Sequence, residues 1–345
     1  MSRYYTQENH GPYHIADIGD LPLEEGGCIR GAKLAYATHG ALNAAKDNAV
    51  LVTTWYSGTS KIMEQLYIGE GRALDPAKYF IIIVNQLGSG LSSSPGNTDG
   101  AFAGPHFPRV RIGDDVAAQH RLLTEHLGLT QLALVFGGSM GAQQAYEWAA
   151  RHPDFVKRAA ALAGTARNRP SSDMVARIIE DILTSDPGFN GGRYAPGAMD
   201  EALRRHGRYF GVVGWSPAFL DAESWKPLGF NSLDDFLTGF MEAYFLPMDP
   251  NNLLAMAWKW RRGDVGRAAG GDLSAALGRI TAKVMALPIE TDLFFPPDTV
   301  AAEAALIPGA EVRTIRSKAG HLGLFAVEPD WNAQIDAALR DLLAR

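Results

Sequence analysis

The chain has 345 residues, 46% of them hydrophobic and 20% charged, enough to bury a large core and too apolar for a long disordered tract. Its net charge of −6 is spread without a basic cluster, which argues against nucleic acid and anionic membrane as partners. A lone cysteine, Cys28, excludes an internal disulfide and cannot by itself hold a metal, so no oxidising compartment is required.

In chain order, the N-terminal stretch MSRYYTQENHGPYHIADIGD is polar and broken by Gly and Pro. It lacks the basic and apolar regions of a secretion signal, and no run approaches the roughly 20 apolar residues of a membrane span. The expected location is the cytoplasm. Short apolar runs follow at VLVTT (50–54), YFIIIVN (79–85) and LALVFG (132–137), and each reads as a buried parallel strand. Between the last two, Val116, His120, Leu123 and Leu127 recur at helical spacing and Gly128 supplies a C-cap. Asp114 and Asp115 read as caps for that helix. The Gly-rich run GSGLSSSPGN (88–97) lacks the lysine and spacing of a phosphate loop and is expected at a pocket rim.

The strand and helix alternation stops near Arg167 and resumes near Leu273. The expected organisation is therefore a core formed by residues 1–166 and 273–345, with residues 167–272 inserted as a helical lid rich in Trp, Tyr, Phe and Met. Within the lid, Arg208, Arg261 and Arg262 are candidates for an anionic substrate, with solvated surface positions the simpler reading. The core then continues through KVMALPI (283–289), a helix over 298–307, VRTI (312–315) and a closing helix over 331–343.

The chemistry concentrates at GGSMG (137–141), a GxSxG motif set between an apolar strand and a helical pattern. A serine is a poor nucleophile near neutral pH unless it is exposed on a sharp turn, paired with a base and placed beside a site for negative charge. Ser139 meets the first condition, and the Met140 amide at the helix start would meet the third. The fold class expected from this arrangement is α/β, an α/β-hydrolase fold with a mostly parallel sheet and an inserted helical lid.

In that fold the acid and then the histidine follow the serine in the chain. His321, in KAGHLGLF after the last expected strand, is the candidate base, while His206 lies in the charged run RRHGR within the lid. Asp292 follows KVMALPI through a short turn and is the candidate orienting acid, with Glu290 and Asp298 as competitors. The loop WYSGTS after the first strand offers the Tyr56 amide as a second oxyanion donor.

The chain also resembles the homoserine O-acetyltransferase family across nearly its whole length. The resemblance rests on KLAYATHGALN (33–43), IGEGRALDPAKYFIIIVNQLGS (68–89), GGSMGAQQAYEWAARHPD (137–154), MDPNNLLAMAW (248–258), DLFFPP (292–297) and Gly320 with His321. It implies triad roles for Ser139, Asp292 and His321, oxyanion positions at Tyr56 and Met140, and a lid that also contacts a second copy of the chain in a homodimer. Two departures bear on substrate. The residue after the histidine is Leu322, where the family carries an aspartate for the ammonium group of homoserine. The stretch RYFGVVGWSP offers Trp215, Ser216 and Pro217 where the family carries an arginine.

Trp55, Trp215 and Leu322 are accordingly the candidate substrate contacts, and the loss of charge predicts poor homoserine binding, because a zwitterion in a partly dry site needs both charges paired. The preferred function is hydrolysis of a carboxylic ester, thioester or related acyl compound through an acyl-serine, with no cofactor or metal and a small acyl molecule as the partner. The alternative is an O-acyltransferase using acetyl-CoA or another acyl-CoA with a different acceptor. A ligand-binding protein without turnover fits an intact triad poorly.

Overall fold

In the computed structural model, residues 4–345 are described. Eight strands form one sheet: β1 (His14–Asp17), β2 (Lys33–His39), β3 (Ala49–Thr53), β4 (Phe80–Val84), β5 (Leu134–Gly138), β6 (Arg158–Leu162), β7 (Lys283–Leu287) and β8 (Glu311–Val312). Their spatial order is β1-β2-β4-β3-β5-β6-β7-β8. From β4 onward all neighbours pair in parallel, while β2 is antiparallel to both of its neighbours. The central strands are buried along most of their length, which is why they read as continuous apolar runs. The strands β1 and β2, at one end of the sheet, alternate more, and β2 pairs with β4 through register contacts such as Tyr36 with Val84; apolar runs alone did not disclose them.

Among helices of eight residues or more, α1 (Ser60–Tyr67), α2 (Ile112–Arg121), α3 (Met140–Arg151), α4 (Pro170–Thr184), α5 (Asp200–Gly214), α6 (Pro250–Arg261), α7 (Pro297–Ala304) and α8 (Trp331–Leu343) follow in order. Helix α2 runs into a π-helical turn over Leu122–His126, and Gly128 (φ +61°) ends it as expected. The segment holding α4 to α6 packs around an aromatic cluster that includes Phe210, Phe236, Phe245 and Trp260 and is shared with Tyr56, Met140 and Phe294 outside it.

The chain leaves β3 through α1 for β4 on one side, then returns past β3 to reach β5 on the other. The carboxyl ends of β3 and β5 are therefore neighbours whose connections diverge, the place where open α/β sheets form a ligand crevice. Tyr56 follows the first of these strands and Ser139 the second.

Two expectations are corrected, and one competitor for the orienting acid is set aside. Asp114 does cap α2, accepting the Arg111 amide at 2.7 Å, but Asp115 does not; it is fully buried and ion-paired with Lys259 of α6. The run 88–97 does not border the cavity above Ser139. Ser92 and Ser94 are fully buried, Ser92 Oγ accepts the Ala35 amide of β2, and the Tyr5 ring lies so close to Gly90 (φ +116°) that a Cβ there would sit 2.5 Å from it. Asp298 is exposed and lies inside the first turn of α7, whose N-cap is Pro296.

Candidate active site

Ser139 sits at the turn from β5 into α3 with φ 56° and ψ −122°, a conformation that costs a non-glycine residue about 1–3 kcal/mol and persists only where its surroundings enforce it. They do so through close backbone approach. A Cβ on Gly137 would lie 2.2 Å from Thr53 Oγ1, and one on Gly141 would lie 2.7 Å from the Thr53 carbonyl, so neither glycine can be replaced without shifting Thr53 of β3 or the start of α3. Thr53 Oγ1 donates to the Gly141 carbonyl at 2.8 Å, and the Ser139 amide donates to Leu162 of β6 at 2.9 Å.

The Ser139 hydroxyl meets His321 Nε2 at 2.9 Å, and His321 Nδ1 meets Asp292 Oδ2 at 2.8 Å. All three side chains are buried. A carboxylate can only accept, so Nδ1 carries the ring proton and Nε2 is left to accept from the hydroxyl. The other oxygen of Asp292 accepts the amides of Phe294 and Phe295 at 2.7 and 3.1 Å, which fixes the carboxylate plane. The loops bearing the acid and the histidine are joined through Thr291, whose hydroxyl donates to Ser317 and accepts the Gly320 amide. The rejected competitors lie apart: Glu290 is exposed, and His206 is buried beside Tyr56, Phe210 and Phe245, with no hydrogen-bond partner for either ring nitrogen among the described residues.

Tyr56 follows β3 and Met140 follows β5, two neighbouring parallel strands of the sheet. Met140 opens α3, so its N–H has no carbonyl within the helix to meet. The Tyr56 side chain is anchored by its hydroxyl, which donates to the Leu253 carbonyl at 3.1 Å, and by its ring, stacked on Phe210.

Above Ser139 a cavity encloses about 530 Å³ of atom-free space, part of it open to solvent. Trp55 and Leu322 line it, with Phe210, Phe245, Trp260 and Phe294 among the aromatic walls. Trp215 does not, which corrects that expectation. It is fully buried, stacked on Phe219 at 4.4 Å, with its Nε1 directed at the Met241 sulfur; Met241 stands between it and the cavity. None of the three lid arginines reaches the cavity. Arg208 pairs with Glu242, Arg261 with Asp173 and Glu180, and Arg262 lies over the Trp258 ring. Among the described residues that line it there is no Asp, Glu, Lys or Arg, and the polar residues besides His321 are Ser57, Ser139, Tyr56, Tyr244, Trp55 and Trp260.

Beneath the site lies a polar network that sequence reasoning missed. Gln86 is fully buried and its Nε2 donates to the carbonyls of Thr54 (2.7 Å) and Trp55 (3.2 Å). Gln144 of α3 donates to the same Thr54 carbonyl at 3.0 Å and receives Gln119, which receives Trp148. The only signal in the sequence was the presence of glutamines within apolar patterns, where a buried amide must find partners.

The sheet order, the serine turn and the hydroxyl–imidazole–carboxylate chain define a serine-dependent enzyme. The family model described as the alpha/beta hydrolase fold matches residues 56–326, and the chain belongs to that family. Among its relatives it is 58% identical to an ethyl acetate hydrolase from Pseudomonas veronii, over 100% of this chain and 99% of that protein. The crystal structure of an acetylester hydrolase from Corynebacterium glutamicum matches with a TM-score of 0.99 at 51% identity, covering 100% of this chain and 99% of the other. A homoserine O-acetyltransferase from Thermobifida fusca is 34% identical, over 94% of this chain and 92% of that protein, so the resemblance stated above holds, with esterases the more similar group.

Proposed function

We propose that this chain hydrolyses short-chain carboxylic esters, acetyl esters foremost, through an acyl-enzyme on Ser139. The observation that carries the reading is the buried Ser139–His321–Asp292 chain opening into an apolar, aromatic cavity; the ester-hydrolase names of its similar relatives support the substrate class. Ser139 Oγ attacks the ester carbonyl as His321 Nε2 takes its proton, and Asp292 holds the resulting imidazolium. The carbonyl oxygen becomes an oxyanion received by the Tyr56 and Met140 amides. Collapse expels the alkoxide, which leaves as the alcohol with the proton from His321. Water then attacks the acyl-serine, giving its proton to the same nitrogen, and release of the acid restores the serine. Residues 167–272 act as the lid that closes the cavity, with residues 1–166 and 273–345 as the catalytic core.

Transfer to an alcohol is the second reading, favoured by the 34% identity to a homoserine O-acetyltransferase. The walls offer a zwitterionic acceptor no anion for its ammonium group, since Leu322 stands beside His321, and no free arginine for its carboxylate, since Arg208 is engaged by Glu242. Purified protein with ethyl acetate should release acetate and ethanol in water alone. If acetyl-CoA is consumed only when an alcohol is added, and simple esters are left intact, the chain is a transferase.

The proposed assembly is a homodimer through the lid, a reading supported by exposed Met174 and Ile178 on α4 and Val212 on α5. No helix among the described residues is long and apolar enough to cross a membrane, and the single cysteine supports the cytoplasm as the working location.

A further inference from the structure

We infer that Gln86 is a positioning residue for the oxyanion site, holding the Trp55–Tyr56 peptide so that the Tyr56 N–H faces the reacting carbonyl. This deepens the proposed function and rests on Tyr56 being an oxyanion donor.

In a trans peptide the C=O and the N–H point in opposite directions. The Trp55 carbonyl and the Tyr56 amide belong to one such unit, so whatever holds the carbonyl on one side directs the N–H to the other. Gln86 Nε2 holds it at 3.2 Å, and its second hydrogen holds the preceding Thr54 carbonyl at 2.7 Å. The two bonds fix consecutive peptides of the loop that leaves β3. Were the Trp55–Tyr56 unit to rotate, the Trp55 oxygen would turn toward the developing oxyanion and repel it.

The amide of Gln86 is itself oriented. Its Oε1 accepts from Lys259 Nζ at 3.4 Å, and that ammonium also donates to the Leu87 carbonyl and is paired with Asp115. A cation at the oxygen end of the amide fixes its NH₂ toward the two carbonyls and polarises it as a donor. All of these side chains are buried, so water does not substitute for them cheaply. Gln144 supports the arrangement from α3, donating to the Thr54 carbonyl. None of this touches substrate; Gln86 acts through the backbone it holds.

The test uses the full-length protein. Gln86→Met keeps the volume and removes both donors; Gln86→Glu keeps the shape and the Lys259 contact and presents a carboxylate to the two carbonyls, and it serves if the first variant does not fold. Steady-state kinetics on ethyl acetate are compared with the affinity for a trifluoromethyl ketone, which forms a tetrahedral adduct whose oxyanion occupies the site. The expected result is a fall in kcat of about tenfold to a hundredfold, smaller than removal of a donor outright, with KM within about twofold and the ketone affinity falling in parallel with kcat/KM.

A folded variant with kcat and ketone affinity near those of the unaltered protein overturns the inference. So does a loss confined to KM, or a loss of kcat without a matching loss of ketone affinity, which is what a merely structural glutamine would give. Retention of turnover by Ser139→Ala, measured alongside, would instead overturn the catalytic reading on which the inference rests.

Discussion

Asp115 of α2 and Lys259 of α6, two fully buried side chains far apart in the sequence, form an ion pair that fastens α6 to α2. Burial pushes the Asp115 carboxyl up and the Lys259 amine down, and each opposes the shift of the other. Removing one partner strands the other charge. Lys259→Met should lower the unfolding free energy by about 3–5 kcal/mol, read as a lower urea midpoint at unchanged slope. Lys259→Met combined with Asp115→Leu should recover most of that loss, and a double variant no better than the single would show that the pair carries more than its own desolvation.

Ser139→Ala should cut kcat by at least about 10³-fold while leaving the thermal midpoint unchanged or raised, because no buried partner is orphaned except the His321 nitrogen. Asp292→Asn should lose about 10⁴-fold, since an amide can donate to Nδ1 and so favour the wrong tautomer. Burst kinetics with an activated acetate ester would separate loss of acylation from loss of deacylation.

His206 carries a pH-dependence of stability. Burial pushes its pKa down to about 3, below the value of an exposed imidazole. Between that value and about 6.5 the unfolded chain holds a proton that the folded chain does not, so the contribution is complete above about pH 6.5 and stability declines by about 1.4 kcal/mol per pH unit as the pH falls through this window. His152, pushed down to about 4 mainly by burial and also by His120, acts in the same direction. His206→Phe should flatten the decline and raise stability at pH 7 by about 1 kcal/mol or more, because two buried nitrogens lack partners. Denaturant melts at pH 5 and pH 7 decide this, and an unchanged difference between them would refute it.

Phe210 forms part of the cavity wall and stacks on Tyr56 at 5.6 Å. Phe210→Ala should cost about 3–5 kcal/mol of stability and raise the rate on butyrate or hexanoate esters relative to acetate. The ratio of rates is the useful readout, since it does not depend on how much protein is folded. A ratio equal to that of the unaltered chain would place the length limit elsewhere.

The serine, acid and histidine were legible because chain order and strand boundaries dictate where a loop emerges, and the glycines around Ser139 have a steric reason to be there. Side chains on the inserted helices were not. Trp215 reads as a pocket residue from its place in the chain, yet it leaves the end of α5 in extended backbone and stacks on Phe219, and no local pattern encodes that direction. Asp115 follows Asp114 and shares its local signals for a cap; only the distant Lys259 distinguishes them. The antiparallel edge formed by β1 and β2 escaped because its alternation is short and its partner strands are remote in sequence. Gln86 escaped for a similar reason, since its role is carried by carbonyls about 30 positions earlier.

The left-handed backbone at position 139 means that chemistry and foldability pull in opposite directions at one residue. Glycine there would relax the torsion, and the resulting protein would be both sturdier and inert. Screens that reward heat resistance without demanding turnover should therefore drift toward loss of the hydroxyl, and stabilised descendants of this chain should be checked at that codon first.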